Sequence, residues 1–242
     1  SELFLSKYVD LFIFSHPKRA QIFSKNSKIN KNKTIYVYNS LRIKPFTKKT
    51  KNKKNMIWQG SIGPGHSLIN IIRSFVYLDE EIKLRIFGKI EDYFYFNKMK
   101  KLIKELNLEK RVSIYNFVPE HKIKKELKEA YVAIALYEPI ITSHKYMAGA
   151  SAKINEYLAN SLPVVVSNNS DFLNFTIKFK ASISVCIKDP KSIAHGIRKT
   201  IYNKKIYRQL QLNAYKAHVN EFNFEKQFTK INDRLKILKW IP

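Results

Sequence analysis

The chain predicts a doubly wound α/β fold, a parallel sheet with helices on both faces, preceded by a smaller α/β segment. Three observations carry this. From residue 56 to residue 202 short apolar runs alternate with stretches of helical period, the pattern of repeated strand-helix-strand units. Residues 163–167, Pro-Val-Val-Val-Ser, form a nearly uninterrupted β-branched run of the kind buried on both faces at the centre of a parallel sheet. A turn rich in glycine, Gly60-Ser61-Ile62-Gly63-Pro64-Gly65, joins a strand directly to a helix and holds half of the six glycines.

In chain order, residues 9–15 predict a strand, 16–25 a helix and 34–39 a second short strand. Residues 41–55 are basic and without period, which predicts a solvated linker. A strand at 56–59 then leads through the glycine turn into a helix at 67–78, where Leu68, Ile71, Ile72 and Phe75 share one face and Ser67 holds the N-cap position. A strand at 83–87 ends on Gly88. The helix at 92–106 opens with Tyr93, Phe94, Tyr95 and Phe96, a cluster expected in core and interface. A strand at 111–116, a helix at 120–130 opened by Pro119 and a strand at 131–136 follow. A long loop spans 137–150, then a helix at 151–160, the strand at 163–167 and a last strand at 182–187. Helices at 190–202, with Asp189-Pro190 as cap and first residue, 205–221 and 224–238 close the chain.

Composition narrows the function classes. Hydrophobic residues make up 45% and aromatics 13%, enough to bury a core, so wholesale disorder is excluded. A single cysteine, Cys186, excludes an internal disulfide and a cysteine-rich zinc site and predicts a reducing compartment. Its strand predicts a core position. No apolar run nears the roughly 20 residues that span a bilayer, and the opening residues lack the basic and apolar regions of a signal peptide. These features predict cytoplasmic placement. His16, His121, His144 and His195 show no metal-type spacing, so surface or capping roles and no metal are expected. Lys and Arg number 45 against 19 Asp and Glu, a net charge of +26. That charge reads either as a partner of nucleic acid or an anionic membrane surface, or as the background of a Lys-, Asn- and Ile-rich composition. No recognition-helix pattern or basic motif flanked by aromatics points to specific nucleic acid.

In doubly wound sheets ligands bind at the carboxyl ends of the strands, where strand order reverses. The glycine turn there matches neither the dinucleotide fingerprint nor a P-loop, and reads as a phosphate-approaching loop or as a plain tight turn. The second candidate is the start of the helix at 151–160. Gly149 and Ser151 predict a helix start whose free amides face the cleft. Lys153 and Glu156 lie three apart on one face. They read as a surface salt bridge, or as a cation for a diphosphate and a carboxylate for the two hydroxyls of a ribose. In the loop before it, His144 is a candidate substrate contact, and Glu138 faces the cleft or makes a loop salt bridge.

The run Ser151-Ala152-Lys153-Ile154-Asn155-Glu156-Tyr157-Leu158-Ala159, followed by Pro163-Val164-Val165-Val166, resembles the donor-binding signature of GT-B glycosyltransferases, in particular family 4-like enzymes. The segments at 56–60, 84–88 and 112–118 resemble the opening strands of that family's Rossmann-like C-terminal domain, and residues 8–39 the end of its N-terminal domain. The resemblance implies a donor domain over 56–222, an acceptor-side remnant over 1–40, a linker at 41–55 and a crossover helix over 223–242. It implies a nucleotide diphosphate-sugar as substrate, with Glu156 on the ribose, Lys153 by the diphosphate, Ser151 and Ala152 offering helix-start amides, and Gly60 with Ser61 facing the phosphates. Two departures stand out. Ala148 takes the place of a first glutamate, and the opening loop has Ser61 and His66 where an Arg and a Lys are usual. The expected function is transfer of a sugar to a glycan or lipid-linked acceptor, with retained configuration, no resident cofactor and possible peripheral contact with the membrane. A basic nucleic-acid or anionic-surface module and a GT-B-fold nucleotide-sugar epimerase are the alternatives. The chain alone is expected to bind nucleotide without turning over.

Overall fold

The computed structural model describes residues 8–49, 54–140 and 142–241. Its main body is one parallel sheet of six strands, β3 (Asn55–Gln59), β4 (Lys83–Phe87), β5 (Val112–Tyr115), β6 (Val132–Ala135), β7 (Val164–Ser167) and β8 (Ser182–Val185). Their spatial order is β5-β4-β3-β6-β7-β8. Growth runs outward from β3 in one direction and from β6 in the other, so the order reverses between these two neighbours. A cleft is expected at their carboxyl ends.

Alternation along each strand builds two cores. Met56 and Trp58 of β3, Val132 and Ile134 of β6 and Val165 of β7 face one layer, formed by α2 (Leu68–Ser74), α3 (Tyr93–Glu105) and α8 (Pro190–Tyr202). Ile57, Ala133, Ala135, Val164 and Val166 face the other, formed by α4 (Glu120–Glu129), α6 (Ala152–Ala159), α7 (Ser170–Phe179) and α9 (Lys204–Asn220). The small Ala133 and Ala135 leave room for Tyr157 and Leu158 of α6, both fully buried. Between β6 and α6 the chain makes one short turn of helix, α5 (Thr142–Lys145). The 137–150 loop therefore contains a helical turn, four residues long and too short to show a period in the sequence. α7 is a second unannounced helix; Asn169 caps it by accepting from Phe172 N at 3.0 Å, and its Phe172 and Phe175 are buried three apart.

A smaller layer precedes this body. β1 (Phe12–Phe14) pairs in parallel with β2 (Thr34–Tyr36), and α1 (Pro17–Asn26) crosses between them with Phe23 against Phe12 and Phe14. His16 caps α1, its Nδ1 accepting from Lys18 N at 3.1 Å. The last helix, α10 (Phe224–Ile237), returns to this layer: Gln227 accepts from Tyr38 N at 3.0 Å, and the Lys230 ammonium lies 4.5 Å from the Tyr36 ring.

Residues 41–49 are mostly exposed, as a solvated segment is, yet they do not run free of the main body, while 50–53 lie outside the described residues. The segment is strapped to the main body by its backbone. Lys44 N donates to His218 Nε2 at 3.1 Å, Thr47 N to Ser161 Oγ at 3.2 Å, and Gln211 to Thr47 O at 3.2 Å. Lys49 is buried, donating to Leu127 O at the end of α4 at 2.6 Å. A basic sequence looks solvated because pattern reading sees side chains; here main-chain groups and one lysine, which answers the orphan carbonyls of a helix end, make the attachment.

Candidate functional site

A cleft of about 920 Å³ opens at the carboxyl ends of β3 and β6. A second hollow, about 1070 Å³, lies along α8 between Lys191, Arg198 and Lys204. Tyr77, Tyr202 and Asp79 line it along with these cations, and none of the loops at the reversal point does, so the chemistry is sought in the first.

The floor is set by glycine. Gly60 N bonds Phe87 O at 3.0 Å, and a Cβ on Gly88 would stand 1.6 Å from Gly60 O, so β3 and β4 end closer together than any side chain permits. A Cβ on Gly60 would itself lie 2.7 Å from the Lys153 Nζ, and Gly60 has φ +143°. The space a side chain would fill is therefore occupied by the ammonium. That ammonium lies 4.3 Å from the Trp58 ring centroid and 5.1 Å from that of Tyr137. It is buried at its tip and has no hydrogen-bond partner among the described residues. Burial pulls its pKa down to about 7, because charge is costly away from water and the aromatic faces return only part of that cost.

Ser151 caps α6, its Oγ accepting from Ile154 N at 3.3 Å and sharing a 2.8 Å hydrogen bond with the Tyr137 hydroxyl. Ala152 is exposed at the first turn, where backbone amides have no carbonyl within the helix. One turn deeper, Glu156 Oε2 accepts from the Gln59 side chain. No ion pair joins Lys153 and Glu156 among the described residues, so the surface salt-bridge reading is not what forms. Ser61, His144, Ser151, Ala152, Lys153, Glu156 and Gly60 all line the one cleft.

Three expectations are corrected. Gly149 (φ +81°) faces the Tyr38 and Phe222 rings rather than the cleft; a Cβ there would meet Tyr38 at 2.6 Å. Glu138 neither lines the cleft nor makes an ion pair among the described residues, because its carboxylate accepts from Ser67 N at 3.1 Å and Ser67 Oγ at 2.8 Å. Ser67 does hold the N-cap position, in a left-handed conformation at φ +49° with no side-chain cap bond, and Glu138 fixes it there by accepting from both its amide and its hydroxyl. The cause is a contact across 71 positions, invisible to local pattern. The aromatic cluster also divides: Tyr95 and Phe96 pack on the core, whereas Tyr93 and Phe94 are exposed.

His66 of the opening loop, together with residues that the sequence does not single out, completes the walls. His66 lies edge-on to Trp58 and Tyr137, and its pKa falls to about 3 through burial first and then the neighbouring Lys153 and His144 charges. Arg19 and Ser15 arrive from the small layer, and Gln59, Phe87 and Phe117 from the strand ends. Only His66 had a signal, its place beside the glycine turn.

The doubly wound sheet brings an ammonium, helix-start amides and a carboxylate to its reversal point, the place where α/β domains of this architecture bind ligands. The chain belongs to the family described as glycosyl transferases group 1, which it matches over residues 39–217. Among solved structures it is similar to Anabaena HepE in complex with UDP and glucose, at 15% identity and TM-score 0.77, over 98% of this chain and 67% of that one. It is similar also to a Staphylococcus aureus TarM mutant in complex with Fondaparinux, alpha-GlcNAc-glycerol and UDP, at 16% identity and TM-score 0.74, over 96% of this chain and 45% of that one. WaaG, a glycosyltransferase involved in lipopolysaccharide biosynthesis, matches at 12% identity and TM-score 0.68, over 90% of this chain and 60% of that one. The chain thus spans about half to two thirds of these relatives. A comparison with curated protein sequences finds no match. The family and the fold agree with the resemblance carried by residues 151–166.

Proposed function

We propose that the cleft binds the donor of a glycosyltransferase, a uridine diphosphate-sugar, and that the protein of which this chain forms the donor side moves the sugar to a hydroxyl of a glycan or lipid-linked acceptor. The observation that carries the reading is the Lys153 ammonium, enclosed beside the start of α6 without a hydrogen-bond partner among the described residues, with Glu156 one turn deeper. UDP bound to HepE and to TarM supports uridine as the base. In the transfer, the acceptor oxygen bonds the anomeric carbon while the bond from that carbon to the diphosphate oxygen breaks. The electron pair leaves with the diphosphate, and the hydroxyl proton passes to a phosphate oxygen or to solvent. Lys153 and the amides of the first turn of α6 are placed to stabilise the charge that grows on the leaving oxygens, and Glu156 to hold the ribose hydroxyls. In this reading configuration is retained and the charge is met by side chains and amides with no metal assigned. The net charge of +26 suits an acceptor presented at an anionic membrane. No described helix is long and apolar enough to cross one.

Calorimetric titration with UDP, GDP and ADP tests the reading. UDP is expected to bind, and Glu156→Ala to weaken it by roughly 10- to 100-fold through the loss of charge-assisted hydrogen bonds. Absence of nucleotide binding at millimolar concentration, or affinity unchanged in Glu156→Ala, overturns it.

A further inference from the structure

The opening loop of the donor side carries no Arg or Lys between Gly60 and Ser67, and a diphosphate brings more negative charge than one ammonium answers. Two other cations line the cleft. Lys89 is exposed at the end of β4. Arg19 is half-buried and comes from α1, on the far side of the cleft from Gly60 in chain origin. Its Nη1 donates to Ser15 Oγ at 3.1 Å and its Nη2 to the Met147 thioether at 2.9 Å. A thioether is a weak acceptor, which an anionic oxygen outcompetes. Arg19 is a partnered group that also feels the Asp171 carboxylate, so a phosphate oxygen shares or displaces partners here and does not meet a free guanidinium. Met147, which Arg19 contacts, accepts at its carbonyl from the N–H of Ser151, the cap residue at the start of α6, at 2.9 Å. Arg19 therefore lies by the same helix start that Lys153 approaches over the Trp58 and Tyr137 rings.

We propose that Arg19 is the second cation of the phosphate subsite, so that the small N-terminal layer supplies part of the donor site and clamps the diphosphate against Lys153. The proposal rests on the donor reading above. A guanidinium suits this position because it stays charged when half-buried and offers paired donors to phosphate oxygens. The two groups divide the work: Lys153 is buried in the floor, and Arg19 is carried by the layer that α10 and the 41–49 strap join to the sheet.

The test compares UDP, UMP and uridine by calorimetry on the full chain, wild type against Arg19→Gln and Arg19→Lys, with thermal melting to check folding. Arg19→Gln is expected to weaken UDP by roughly 10- to 100-fold, UMP less, and uridine not at all. Arg19→Lys recovers part of the loss, and keeps the charge should the glutamine variant fold poorly. Equal loss for uridine and UDP in both variants, or unchanged UDP affinity in either folded variant, overturns the role of Arg19. Failure of the wild-type chain to bind UDP instead overturns the donor reading beneath it.

Discussion

A lysine with a pKa of about 7 is half deprotonated at neutral pH, and that makes donor binding a proton-uptake reaction. In the empty cleft the Lys153 tip meets the Trp58 and Tyr137 faces and no carboxylate; Glu156 on its own helix is engaged with Gln59, and His66 nearby carries a pKa of about 3 and stays neutral. A diphosphate oxygen returns the partner that burial removed, and the pKa rises toward its ordinary value. The sign follows. Binding that raises a pKa is favoured fully below the free value and loses strength as pH climbs above it. Uptake is expected to be near zero at pH 5.5, about half a proton at pH 7 and close to one at pH 8.5, with affinity falling up to about tenfold per pH unit above 7. UDP titrations in phosphate and in Tris, buffers of small and large ionisation enthalpy, read the uptake from the difference in apparent binding enthalpy. Lys153→Met is expected to abolish that difference and to weaken UDP at pH 6, while raising the melting temperature of the empty protein, because the folded chain no longer holds a desolvated amine. Lys49, also near pKa 7 through burial, sits at the end of α4 outside the cleft lining, so no contribution from it to the uptake is expected. Identical enthalpies in both buffers at pH 7 to 8.5, or uptake that survives in Lys153→Met, refute the reasoning.

Two further outcomes follow from the packing. Gly88→Ala places a methyl 1.6 Å from a backbone carbonyl, which no rotamer relieves. Strands β3 and β4 must part, and a loss of soluble protein or a fall in melting temperature well beyond that of a control alanine elsewhere is expected, measured by differential scanning fluorimetry. His218 is fully buried, donating from Nδ1 to Phe222 O at 2.9 Å and accepting Lys44 N at Nε2. Burial lowers its pKa, so the stability it confers is present above the unfolded-state value of about 6.5 and is lost as pH falls below that. Chemical denaturation between pH 7 and 5 is expected to show that slope in the wild type and a flatter one in His218→Phe.

Much of the architecture is legible in the residues because it is locally encoded. The 83–87 strand and the 190–202 helix have the bounds their patterns predict, since each is delimited by its own Gly, Asp-Pro or turn signal. Lys153, Glu156 and Ser151 stand together on the cleft because one helix carries them at fixed spacing, and the resemblance to the donor-binding signature, not the spacing, singles them out. What stayed hidden depends on contacts far apart in sequence. Glu138 is drawn to Ser67 by a helix start 71 positions away, and Arg19 meets Met147 across 128. The α7 helix escaped notice because its Asn169 cap lies in a run of polar residues that reads as loop.

The chain passes between its two layers twice, and the passes touch. Leu41 forms a parallel bridge with Asn223, and Phe224 N bonds Leu41 O at 2.9 Å. A single tether lets two bodies swivel in any direction. A pair laid side by side and bonded to each other restrains that swivel, and His16 on Asp171, Arg19 on Met147 and Asn39 on Ala150 restrain it further. Arg19 lies on one side of this doubled crossing and Lys153 on the other, so the crossing is one of the contacts that set the separation of the two cations.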